Sequence, residues 1–294
     1  ANDLKLVDKL GQGTSAVVYR GTYRGQEVAI KVLKEKAEAK ALEEFEKEFS
    51  IISTLRSPHV VFLYGATLHP NQSIVLEFCQ KGSLYDCLLN PAEDITWARV
   101  LRAASDSIRG ISCLHNWKPQ IVHRDLKSLN LLVDQNWVVK VSDFGTARFT
   151  SGGGDMATLT RLRGTYAYCA PEVYFGQHFT TKSDIFSFGI ILWELVYRCL
   201  TGTYSQPYSE YTHIVFDFQI IIQTAKNALR PTIPAGCPEH YADVIRRCWD
   251  PAPENRPDTD EVVQLVKDLE VSYEANRSSW DSLRKHPPPP SPSP

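Results

Sequence analysis

The hydrophobic period changes once along this chain, and that change limits the fold more than any other feature. Near the start, apolar residues alternate. Leu4, Leu6 and Val7 lead into Gly11-Gln12-Gly13, and Ala16-Val17-Val18-Tyr19 and Glu27-Val28-Ala29-Ile30-Lys31-Val32 flank Tyr23-Arg24-Gly25-Gln26. A period of two broken by glycine turns predicts an antiparallel meander, because successive strand side chains point to opposite faces. Between about 36 and 56, Leu42, Phe45, Phe49, Ile52 and Leu55 recur at three and four, the spacing of one helix face. Residues 60–66 and 73–78 read as two further strands. From about residue 83 helices dominate, at 83–89, 96–116, 181–199, 214–226, 238–248 and 258–273, with strand-like runs at 130–133 and 138–141. The pattern predicts a sheet-rich part with one helix, a connector near 77–82, and a helical part. A ligand cleft is expected at their boundary.

Bulk properties exclude several classes. With 294 residues, 43% hydrophobic and 22% charged, the composition is that of an ordinary globular protein. A net charge of −2 gives no basic field for nucleic acid or a membrane surface. No apolar run reaches the roughly 20 residues of a membrane helix, and the first residues carry no secretory signal. The chain lacks an initiator Met and enters a strand pattern at once, so it reads as a piece of a longer protein with further domains. Its seven cysteines form no CxxC pair and its eight histidines no HExxH. Reduced thiols in the cytoplasm are expected, without a structural metal.

Five short motifs occur in order. Gly11-Gln12-Gly13-Thr14-Ser15-Ala16-Val17-Val18 can bring backbone N–H groups close to phosphates, although alone it is equally a hairpin turn. Val28-Ala29-Ile30-Lys31 ends a strand on a lysine that could simply reach solvent. Glu48, seventeen residues on, lies on the inward edge of the amphipathic helix, and a Lys31–Glu48 pair would hold an ammonium toward phosphates. In Ile121-Val122-His123-Arg124-Asp125-Leu126-Lys127-Ser128-Leu129-Asn130, Asp125 can accept a hydroxyl proton. Lys127 can neutralise charge on a transferring phosphoryl group, and Asn130 offers oxygen to Mg²⁺. Val141-Ser142-Asp143-Phe144-Gly145 supplies Asp143 as a second metal ligand. Gly164-Thr165-Tyr166-Ala167-Tyr168-Cys169-Ala170-Pro171-Glu172 is the fifth.

In type, order and spacing these motifs resemble the protein-kinase signature over about residues 4–270. Ser183-Asp184-Ile185-Phe186-Ser187-Phe188-Gly189, Trp193-Glu194-Leu195, Leu229-Arg230-Pro231, Cys248-Trp249 and Pro253-Glu254-Asn255-Arg256-Pro257 resemble the tyrosine-kinase-like group, of the Raf-like and mixed-lineage type. The resemblance implies an α+β, bilobal fold with a five-stranded antiparallel N-lobe sheet and one helix (1–79 with the hinge), a mainly helical C-lobe (80–273) and a Pro-rich tail or linker (274–294). It implies ATP with Mg²⁺ or Mn²⁺ as cofactors and protein substrates as partners. The activity expected is transfer of the γ-phosphate to serine or threonine, a preference carried by Lys127 and Thr165. Tyrosine or dual specificity is the alternative, and a pseudokinase scaffold the third. Leu10, Gly11, Gly13, Val18, Ala29 and Leu132 would hold the nucleotide, with Leu76 as gatekeeper and Glu77 and Cys79 as backbone hinge contacts. Ile52, Leu63, His123 and Phe144 would stack. Arg256 would pair with Glu172, and Asp184 would bond the backbone at His123-Arg124. Ala16 in place of a third glycine, and a long 197–222 stretch, depart from the pattern.

Arg124 directly before Asp125 implies a phosphate on the activation segment. Thr150, Ser151, Thr158 and Thr160 are the candidate acceptors, with Thr158 and Thr160 preferred. The end, Arg284-Lys285-His286-Pro287-Pro288-Pro289-Pro290, spaces an arginine and prolines as an SH3-type ligand does, or serves as a linker.

Overall fold

The computed structural model describes residues 3–13, 16–34, 39–68, 72–150 and 166–285, with backbone alone at 39–41. Its first part is a five-stranded antiparallel sheet in the order β1-β2-β3-β5-β4. The strands are β1 (Leu4–Gln12), β2 (Ala16–Tyr23), β3 (Gln26–Leu33), β4 (Leu63–Thr67) and β5 (Ser73–Glu77), with α1 (Ala39–Thr54) between β3 and β4. Arg24 (φ 50°) and Gly25 (φ 81°) join β2 to β3 across the pair Tyr23–Gln26. Positive φ at both turn residues matches the twist of the strands they connect.

The rest is mainly helical: α2 (Leu84–Leu89), α3 (Trp97–His115), α4 (Pro171–Tyr174), α5 (Thr181–Thr201), α6 (Phe218–Asn227), α7 (Glu239–Cys248), α8 (Thr259–Ala275) and α9 (Arg277–Ser282). Short strands β6 (Ile121–Val122) and β9 (Arg148–Phe149) pair with each other, as do β7 (Leu131–Val133) and β8 (Val139–Val141). Helix α5 is apolar on nearly every side, so it is buried on every side. It starts on a Thr180–Ser183 capping box and stops at Gly202 in the left-handed region. None of the described helices is long and apolar enough to cross a membrane. This is the bilobal α+β architecture that the hydrophobic pattern and the motif resemblance imply together.

Several elements differ from expectation, each for a visible reason. Strand β4 begins at Leu63 rather than 60, because residues 59–61 pair elsewhere. The Val61 N–H donates to the Val141 carbonyl (3.0 Å) and the Val141 N–H to the His59 carbonyl (2.9 Å), stitching the sheet part to β8. Helix α6 begins at Phe218 rather than 214, because the Gln219 side-chain oxygen caps the N–H groups of Val215 (2.8 Å) and Phe216 (2.9 Å). On α1, Phe49 is exposed and Ile51 is buried in its place beside Phe45, Ile52 and Leu55.

The boundary expected at 273 falls inside α8. Residues 274–285 are packed rather than a trailing linker. Trp280 is buried against Trp97 (ring centroids 4.8 Å apart) and Tyr273 (5.9 Å), and the Trp97 indole N–H donates to the Trp280 carbonyl (2.7 Å). Arg284 is ion-paired with Asp94 and its side chain is largely buried, so it is not presented to an SH3-type groove. Pro287 and Pro290 lie outside the described residues.

Candidate active site

Alternation along β3 buries Val28 and Ile30 on one face and turns Ala29 and Lys31 toward α1 and the interlobe cleft. Lys31 Nζ contacts Glu48 Oε1 at 2.8 Å and Oε2 at 2.6 Å. It also lies 3.3 Å from Asp143 Oδ1. Burial disfavours the Lys31 ammonium, but Glu48 and Asp143 outweigh it and hold the group above its ordinary range. The contact fixes α1 against the sheet, since Glu48 is buried and has its charge answered there.

Asp143 occupies the left-handed region at φ 60°, an uncommon conformation for a residue with a side chain. Its carboxylate is half-exposed toward the cleft while the next side chain, Phe144, is fully buried. Burial pushes the Asp143 carboxyl up, yet the Lys31 ammonium, with His123 and Lys127, brings it net below its ordinary value. Phe144 meets His123 edge-on at 5.5 Å, and shares one buried core with Ile52 and Leu63.

The 123–130 loop is clamped from below by α5. Buried Asp184 accepts the backbone N–H groups of His123 (2.8 Å) and Arg124 (3.0 Å) and contacts His115 Nε2 (2.9 Å). Arg124 is held at φ 72°. Within the loop, Lys127 Nζ lies 2.9 Å from Asp125 Oδ2, and Asn130 Nδ2 donates to the same oxygen (2.9 Å) and to the Asp125 carbonyl (2.8 Å). The loop therefore presents Asp125 between an ammonium and an amide.

A cavity of about 490 Å³ opens between the two parts of the molecule. Val18, Ala29, Leu76 and Leu132 line it, and Lys31, Glu48, Asn130 and Asp143 converge on it; Gly13 and Glu77 are also at its wall. Five expected residues, Lys127 among them, are not in that wall. Leu10 is exposed, and Gly11 is outside it too. Cys79 is buried with its carbonyl taken by the Gly82 N–H (3.1 Å). Asp125 reaches the cavity only through Asn130. The Glu77 carboxylate turns to Lys140 (2.7 Å). Phe45, Val61, Leu129 and Thr146 line the cavity without having been expected. Phe45 had a signal, since it stands one turn before Glu48 on the same helix face. Val61 had none, because its pairing with β8 depends on contacts between distant segments.

A second cavity, of about 710 Å³, is walled by Lys47, Arg124, Arg148 and His178, with Thr150 at its rim. Ser151, Thr158, Thr160 and Thr165 lie outside the described residues, as do Thr14 and Ser15.

Asn130 and Asp143 test the fit of a metal ion. Asn130 spends its amide nitrogen on Asp125, which leaves its amide oxygen as the remaining acceptor, and Asn130 and Asp143 share one cavity wall. Few protein oxygens at an open wall suit a hard cation that keeps water or phosphate ligands. Among the described residues no group of three or more His, Cys, Asp or Glu forms a metal-binding cluster.

A family model described as protein tyrosine and serine/threonine kinase matches residues 4–266. The chain belongs to the protein kinase family. This kinase domain is 54% identical over 282 residues to stress-activated protein kinase alpha of Dictyostelium discoideum, covering 96% of the chain and 44% of that protein. It is 50% identical over 285 residues to a probable serine/threonine-protein kinase of the same organism, covering 97% of the chain and 13% of that protein. It is 36% identical over 300 residues to a probable tyrosine-protein kinase there, covering 95% of the chain and 84% of that protein. The chain thus spans less than half the length of the first two relatives.

Proposed function

We propose that this domain transfers the γ-phosphate of ATP to serine or threonine hydroxyls of protein substrates, and that it is a member of the tyrosine-kinase-like group. The observation that carries this reading is the convergence of Lys31, Glu48, Asp143 and Asn130 on one cavity whose other wall is apolar. The adenine fits among Val18, Ala29, Leu76 and Leu132, and the phosphates face Lys31. Lys31, kept charged by Glu48, orients the α- and β-phosphates. Asp125 accepts the proton of the attacking hydroxyl, and Lys127 beside it offsets charge on the moving phosphoryl group. Asp143 and Asn130 would hold a Mg²⁺ or Mn²⁺ ion, which would supply positive charge to neutralise the phosphates.

The name of the second relative favours serine and threonine, as do Lys127 and Thr165 by resemblance. The tyrosine-kinase name of the third keeps dual specificity as the second reading. Phosphoamino-acid analysis of a generic substrate labelled with radioactive ATP decides between them. Phosphoserine and phosphothreonine alone support the first reading, and phosphotyrosine in comparable amount supports the second.

Phosphorylation within the 143–172 segment fits the second cavity, whose cations Lys47, Arg124 and Arg148, with the His178 imidazole beside them, suit a dianionic phosphate. Mapping phosphopeptides after incubation with ATP tests it; an active protein without phosphate in that segment would contradict it.

A further inference from the structure

The segment between α5 and α6 is longer than two neighbouring helices need, and one of its side chains reaches beneath the 123–130 loop. The Tyr204 hydroxyl donates to Glu194 Oε1 at 2.8 Å. Glu194 lies on α5 and is wholly buried. The Ser128 hydroxyl donates to the same oxygen at 2.9 Å. With its only proton spent on Glu194, Ser128 must accept from the Tyr168 hydroxyl, 3.2 Å away. The Tyr168 carbonyl in turn accepts from Ser187 of α5 (2.8 Å). Tyr85 meets the Tyr204 ring edge-on at 5.3 Å and sets its direction. Glu194 Oε2 is shielded from solvent and has no hydrogen-bond partner among the described residues, so Oε1 carries all of that carboxyl's bonding.

Two segments far apart in sequence therefore meet on one buried oxygen, and a third joins them through Ser128. Ser128 stands between Lys127 and Asn130, and Tyr168 lies just before Glu172. Tyr204 comes from the interhelical segment. We propose that Tyr204 is a positioning residue for phosphoryl transfer. By holding the Glu194 carboxyl in place, it fixes Ser128 and the turn that presents Lys127 and Asn130. Through Tyr168 it also fixes the approach to Glu172. The proposal rests on the kinase reading of the site.

The physical basis is geometric. A buried carboxyl with two donors on one oxygen has one orientation; with a single donor it can rotate, and Ser128 moves with it. Misplacing transfer groups by a fraction of an ångström slows chemistry without weakening nucleotide binding.

Tyr204→Phe removes the donor and keeps the ring. The expected result is a kcat about five- to tenfold lower, with the KM for ATP within about twofold and an unchanged melting temperature. Hydrogen exchange at residues 128–131 should be about tenfold faster in Tyr204→Phe, while α3 is unaffected. Glu194→Gln keeps a carbonyl oxygen for both hydroxyls and should retain most of the activity. Unchanged kcat and unchanged exchange in Tyr204→Phe would overturn the proposal. So would faster exchange throughout the molecule with a lowered melting temperature, which marks a merely structural role. If the wild-type domain transfers no phosphate, the kinase reading fails. The exchange comparison then decides separately whether Tyr204 fixes the loop.

Discussion

Arg256 and Glu172 meet 84 positions apart in a two-pronged ion pair, Nη1 and Nη2 each 2.8 Å from a different carboxylate oxygen. The arginine side chain is fully buried and also donates to the carbonyls of Asp250 (2.8 Å), Lys182 (3.0 Å) and Pro251 (3.3 Å). Its five donors are thereby matched to acceptors, as a buried guanidinium requires. Ser183 adds a hydroxyl to Glu172 at 2.9 Å. Arg256→Met should destabilise the domain by about 3–5 kcal/mol, because it leaves a buried carboxylate uncompensated. Arg256→Lys should not restore it, since an ammonium cannot span both oxygens. Denaturant unfolding of the three proteins checks this.

Lys31→Met should lower kcat about 100-fold or more and also lower the melting temperature, because the buried Glu48 carboxylate loses its partner. The methionine fills the stem's place but removes the charge that Glu48 and Asp143 sustain. A fluorescent nucleotide titration beside steady-state kinetics separates lost binding from lost catalysis.

Glu194 gives a pH dependence of stability with a defined sign. Burial pushes its carboxyl up to about 7, against the hydrogen bonds from Tyr204 and Ser128. The folded state therefore keeps this proton where the unfolded chain has lost it. The associated stability is full below about 4.5 and is lost as pH rises through about 7. Relative to Glu194→Gln, the wild type should lose roughly 3 kcal/mol over that window. Unfolding free energies of both proteins at pH 5, 6, 7 and 8 measure it; parallel curves would contradict the assignment.

Trp280→Ala should cost about 3–5 kcal/mol, although the residue lies past the family match, which ends at 266. The cost follows from the buried contacts with Trp97 and Tyr273. Thermal unfolding of this variant beside Leu283→Ala, a partly exposed neighbour, gives the contrast.

Much of this was legible in the sequence where local spacing set the outcome. The period-two strands and the inward edge of α1 put Lys31 opposite Glu48, because strand alternation and helix phase are both local rules. The clamp of Asp184 on the 123–130 loop and the Arg256–Glu172 pair were reachable only through the motif resemblance, since nothing local links residues so far apart. What stayed hidden depends on contacts between distant segments with no motif of their own. Residues 59–61 look like a strand of the sheet but pair with β8. Trp280 looks like part of a polar tail but fills a site beside Trp97. The Tyr204 hydroxyl has no sequence signal pointing to Glu194. Of the residues expected around the nucleotide, Val18, Ala29, Leu76 and Leu132 line one cavity, whereas Leu10, Gly11 and Cys79 lie outside it.

The central claim is that Asp143 and Asp125 serve phosphoryl transfer from ATP. The most direct test measures phosphate incorporated from labelled ATP into a protein substrate by the wild-type domain, Asp143→Ala and Asp125→Asn, each verified as folded by circular dichroism. The account predicts incorporation by the wild type and a fall of about 100-fold or more in both variants. Equal incorporation by all three would contradict it.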